Sequence, residues 1–106
     1  MQLSWRKKLN EVVEALLPYE PEKIILYGSA ARDQLTEDSD IDLLIIKKSD
    51  KSFLERIRDV LDLLPPIGIP VEPIVLTPEE FDKMVAEERL YAEMILKEGK
   101  ILYEKR

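Results

Sequence analysis

The chain has 106 residues and a formal charge of −6. This length gives one small domain spanning 1–106, and the charge sets it against direct binding along a nucleic acid backbone. Histidine and cysteine are both absent. That excludes a disulfide framework, thiolate zinc sites and the commonest general base, so any metal must be a hard cation held by oxygen, such as Mg²⁺ or Mn²⁺. No apolar run is long enough to span a membrane, and Met1–Lys8 is amphipathic rather than a signal peptide, so a cytoplasmic protein is expected.

In chain order, residues 3–17 are expected to form a helix. Leu9, Val12, Val13, Leu16 and Leu17 recur on one face, and Pro18 stops it. Trp5 at its start reads as a half-buried scaffold residue. Lys23–Tyr27 is a short run apolar on both faces, as a central strand would be. After Gly28, Ser29–Leu35 has the composition for two helical turns and Asp33–Ser39 reads as a loop. Ser39–Lys47 is the second strand. Ser52–Leu64 is the next helix, with Ser52 and Glu55 at capping-box spacing and Phe53, Leu54, Ile57, Val60, Leu61 and Leu64 assigned to its inner face. Val71–Leu76 is a third strand, in which Pro73 demands an edge position or a bulge. Thr77-Pro78-Glu79-Glu80 is a strong helix start. That helix should run to Lys97 with a break near Glu87, and Gly99 ends it before a short last strand at Lys100–Tyr103. The order predicts an α/β (α+β) domain: a small mixed sheet with helices packed on it.

The chemistry-bearing stretch is KIILYGSAARDQLTEDSDIDLLII, residues 23–46. Asp40 and Asp42 stand two apart at the head of a strand, which puts both carboxylates on one face. Their repulsion is relieved by solvent or by a bridging cation, and the strand then enters the core through Leu43–Ile46. Gly28 and Ser29 end the preceding strand at a turn whose backbone N–H groups and hydroxyl can face an anion, with glycine permitting close approach. An anion cradle beside a dicarboxylate is the minimum needed to handle a metal–nucleoside triphosphate. The alternative is an edge strand with a solvated acidic rim.

Gly28-Ser29, ten intervening residues and Asp40-Ile41-Asp42, with Ala31-Arg32 inside the gap, resemble the minimal nucleotidyltransferases of the DNA polymerase β-like superfamily. Within it they look like the antitoxin of HEPN–nucleotidyltransferase toxin–antitoxin modules. The resemblance implies a polymerase β palm-like fold, with Asp40, Asp42 and a third carboxylate binding two Mg²⁺ ions. Glu72 is the carboxylate that fits this third place; it would complete the metal site and help deprotonate the acceptor. The alternative is a solvent-facing Glu72 on an edge strand. Gly28 and Ser29 would hold the phosphates of ATP. Arg32 either reaches a phosphate or pairs with Asp33 or Glu37. By the same resemblance, the expected activity is AMP transfer to a tyrosine of a partner HEPN ribonuclease toxin, silencing it within a hetero-oligomer. Two rivals remain: a module that neutralises its partner by occlusion without catalysis, and a nucleotidyltransferase with another acceptor.

Overall fold

A computed structural model describes residues 3–32 and 40–105. Its elements are α1 (Leu3–Leu16), β1 (Lys23–Tyr27), β2 (Ile41–Ile46), α2 (Phe53–Leu63), β3 (Val71–Leu76), α3 (Pro78–Ala86), α4 (Leu90–Glu98) and β4 (Lys100–Glu104). The four strands form one sheet in the order β3-β2-β1-β4. β1 pairs antiparallel with both β2 and β4, whereas β3 lies parallel to β2. The mixed sheet is therefore as expected. β1 and β2 are its central strands, and Pro73 sits in edge strand β3, where its missing N–H costs no ladder bond.

Strand alternation divides the core into two layers. Ile24, Leu26, Leu43, Ile45 and Val75 face Leu9, Val12 and Leu16 of α1 and Val60 of α2. Ile25, Tyr27, Leu44, Ile46 and Leu76 face Ile95 of α4, with Phe81, Met84, Tyr91 and Met94 packed alongside. Leu43, Leu44 and Ile45 are fully buried. At about 1.5–3 kcal/mol for each large aliphatic side chain, this burial holds β2 in register and fixes whatever stands at its head.

Three local expectations change. α1 ends at Leu16, ahead of Pro18 and one residue earlier than expected, and Leu17–Tyr19 follows as a 3₁₀ turn with Pro18 at its second position, where the ring is tolerated. The segment after Gly28 is a turn through Arg32, with Arg32 N–H reaching the carbonyls of both Gly28 and Ser29. The rest of that predicted helix, and the 33–39 loop, lie outside the described residues. On α2, Phe53 is 41%, Leu54 74% and Leu61 48% exposed, so all three leave the assigned inner face. That face carries a charge instead. Arg56 is buried, its guanidinium donating to the carbonyls of Lys51 (3.0 Å) and Val75 (2.8 Å) and to both oxygens of Glu80 (2.7 and 3.1 Å). With this fork seated on the inner face, Phe53, Leu54 and Leu61 are left facing solvent.

The second half of the chain follows its local signals closely. Ser52 caps α2 by accepting from Glu55 N–H, and Thr77 and Glu80 complete a reciprocal capping box on α3. The break near Glu87 is real: Glu88 takes a left-handed conformation (φ 54°) and the chain restarts as α4.

Candidate active site

Asp42 lies opposite Tyr27 of β1 on one side and Glu72 of β3 on the other. Tyr27, Asp42 and Glu72 thus form one row across three strands. By strand alternation the row lies on the α3/α4 face of the sheet, just beyond the apolar positions Ile25, Leu44 and Ile74. Asp40 stands immediately before β2 rather than within it, half-buried at the same end. β2 and β3 run parallel, so both deliver their carboxylates at the same end of the sheet, and α2 makes the connection between them. A groove of about 290 Å³, lined in part by Lys23, Ile46, Phe81 and Leu96, is at the opposite end of β1 and β2. It is remote from these acids.

Gly28 closes the site from the β1 side. Its φ of +77° favours glycine, and a β-carbon there would collide with the Asp42 Oδ2 carboxylate oxygen. The turn after β1 and the head of β2 are therefore in contact, so the expected anion cradle and the acidic pair share one place. Ser29 is the next residue of that turn, half-buried. Arg32 closes the turn and pairs with Glu98 at the end of α4 (3.1 Å). The predicted partners Asp33 and Glu37 lie outside the described residues.

The electrostatics are those of crowded acids. Burial pushes the Asp42 carboxyl above its usual range and the charge of Asp40 adds to this, while a hydrogen bond from Glu72 works the other way. Glu72 is raised chiefly by the charge of Asp40, then by the hydrogen bond and charge of Asp42. Asp42 and Glu72 therefore crowd each other's charge at the sheet end. A hard cation held between them would relieve that repulsion. Among the described residues no three acidic side chains are already converged as a ligand cluster. What the fold supplies is the Asp42–Glu72 pair, with Asp40 close enough to act on both, and this all-oxygen donor set fits Mg²⁺.

Two aromatic residues escaped the reading of the sequence. Tyr27 packs edge-on against Tyr91 of α4, with ring centroids 5.5 Å apart at 88°. Both phenols are pushed above their ordinary range, mainly by burial, and the Asp42 charge contributes to each. In the sequence, Tyr91 reads only as one apolar position of a helix. Nothing local signals that α4 will set it beside β1.

A family model described as "Nucleotidyltransferase domain" matches residues 6–105. Two proteins of Methanocaldococcus jannaschii, both named putative protein adenylyltransferase, are similar in sequence. One is 38% identical over 76% of this chain and 77% of its own length. The other is 36% identical over 70% of this chain and 58% of its own length. In structure the chain resembles a putative nucleotidyltransferase from Sulfolobus solfataricus, with a TM-score of 0.64 at 23% identity over 93% of this chain and 79% of that one. It also resembles a chain of a toxin–antitoxin structure with AMP-PNP, with a TM-score of 0.62 at 16% identity over 92% and 73% of the two chains. These last two likenesses bear on the fold, which is that of a nucleotidyltransferase.

Proposed function

Since the chain belongs to the nucleotidyltransferase domain family, we propose that it transfers AMP from Mg-ATP to a tyrosine hydroxyl of a partner HEPN ribonuclease toxin, and that this silences the partner. One observation carries the catalytic part: Glu72 stands in register with Asp42, against a Gly28 turn that touches the Asp42 carboxylate. This alignment supports Glu72 as the third carboxylate, with its side chain exposed on edge strand β3. The acceptor draws support from the relatives named for protein adenylyl transfer and from the toxin–antitoxin likeness.

Asp40, Asp42 and Glu72 would hold Mg²⁺, which when bound supplies charge neutralisation for the triphosphate. The chain's own residues do the rest. The Gly28-Ser29 turn presents backbone N–H groups and a hydroxyl to the phosphates, and Arg32, released from Glu98, adds a cation at the same turn. The acceptor oxygen attacks the α-phosphorus as the bond to the bridging oxygen of the β-phosphate breaks, and pyrophosphate departs. The hydroxyl proton passes to Glu72. Positioning supplies most of the acceleration.

The test is to incubate the protein with Mg-ATP and the candidate toxin and weigh the toxin by mass spectrometry. An AMP-sized gain that disappears in the Asp40→Asn, Asp42→Asn double variant supports transfer. Full neutralisation by that variant with no mass gain overturns it in favour of occlusion.

A further inference from the structure

The groove at the end of the sheet remote from the acids has no part in the site described above. It opens where α3 begins and α4 ends. Ile25, Ile46 and Ile95 form its buried floor, while Leu96 and Ile101 stand exposed on its lips. An apolar floor with exposed apolar lips is a place where burial against another molecule is favourable. At about 290 Å³ it lies at the bottom of the range of sites that enclose a whole small ligand, about 300–1,000 Å³, and suits one or two protein side chains. The rim is acidic. Lys23 pairs with Glu104 (3.3 Å), whereas among the described residues Glu22 and Asp82 enter no ion pair. With a formal charge of −6 on the whole chain, this rim repels a second copy of itself and attracts a basic partner.

We propose that this groove docks the protein acceptor through a basic amphipathic segment: one or two large apolar side chains enter it, and flanking Lys or Arg side chains meet Glu22 and Asp82. Its position suits that task. Ile46 and Asp42 lie on the same face of β2, four residues apart, so the groove and the acidic row are about 13 Å apart along the strand. About nine residues of helix cover that distance, so a single partner domain reaches both. Docking at a point set apart from the reacting atoms raises the effective concentration of the acceptor hydroxyl at the acids. The proposal rests on the reading of the chain as a transferase acting on a protein.

The test measures association and dissociation rates of the candidate toxin on native protein, Leu96→Gln, Asp82→Lys and Leu54→Gln, without ATP or metal, so that docking is read apart from catalysis. Leu96 is 64% exposed and Asp82 lies at the surface, so both variants should melt with native protein. Leu96→Gln should weaken binding about tenfold, chiefly through faster dissociation. Asp82→Lys should weaken it about as much, chiefly through slower association and a shallower salt dependence. Leu54→Gln, a comparable change on the exposed face of α2, should bind like native. In Mg-ATP the two groove variants should raise KM for the toxin at unchanged kcat. Groove variants that bind like native, or a loss at Leu54→Gln instead, overturn the groove as the docking surface even where transfer proceeds. A native dimer that Leu96→Gln makes monomeric, with toxin binding unchanged, overturns it in favour of a second copy. Groove variants that lose binding to a toxin that native protein does not modify keep the docking surface and overturn the transfer reading. Native protein that binds no toxin overturns both.

Discussion

Gly28 and Gly68 make a matched pair for measuring how tightly the β1 turn is built against Asp42. Both have positive φ, +77° and +78°, so an alanine at either position is strained by about 1–2 kcal/mol. At Gly68 nothing lies within 4 Å of the added β-carbon, and strain is the whole effect. At Gly28 the β-carbon also meets the Asp42 carboxylate, which must rotate away or carry the strand head with it. Overpacking of this kind costs about 1–3 kcal/mol, so Gly28→Ala should lose about 2–5 kcal/mol against 1–2 for Gly68→Ala. Urea unfolding at pH 7 reads both. The Asp42→Ala background supplies the control: it removes the two nearest atoms and leaves the Asp42 Cβ at 3.6 Å from the new methyl, an ordinary contact. In that background the excess cost of Gly28→Ala should vanish, a coupling of at least 1 kcal/mol in the double-mutant cycle. Equal losses at the two glycines, or an excess that survives without the carboxylate, would refute the contact between cradle and acid.

Two further outcomes follow from the charges. Asp42 and Glu72 both have raised folded-state values, so their contribution to stability is present below the ordinary carboxylate range, near about 4, and is lost as pH rises through the folded values. Asp42→Asn should therefore melt higher than native at pH 7 without metal, and flatten the decline of melting temperature from pH 4 upward; a variant less stable than native at pH 7 contradicts this. Glu80 behaves oppositely, its carboxyl pulled down to about 2 chiefly by the hydrogen bond from Arg56. Its stabilisation is present above about 4.5 and disappears as pH falls toward 2. Glu80→Ala strands the Arg56 guanidinium, whose side chain is 6% exposed, and removes half of the α3 capping box. The 43% exposure of the Glu80 side chain lets water replace part of the interaction, so the expected loss is about 2–3 kcal/mol rather than the 3–5 of a fully buried pair. Melts at pH 7 and pH 3 check both the size and the direction.

Residues 23–46 carried most of their meaning locally. Two apolar strands, a Gly-Ser turn and acids two residues apart are short-range features, and the chain folds them as their spacing demands. The capping box at Thr77, the break near Glu87 and the edge position of Pro73 are also short-range, each following from one or two residues and the backbone groups beside them. The identity of the third carboxylate is a different kind of fact. Glu72 is 30 residues from Asp42, and only the parallel register of β3 on β2, set by burial along both strands, places them side by side. Arg56 at the core and Leu54 outside it likewise depend on Glu80 and on the Val75 carbonyl, which helical periodicity cannot anticipate. Tyr91 meets Tyr27 only because α4 packs back across β1. Spacing along the chain is enough to write the Gly28–Asp42 motif, whereas the company that motif keeps arises from register and packing between segments distant in sequence.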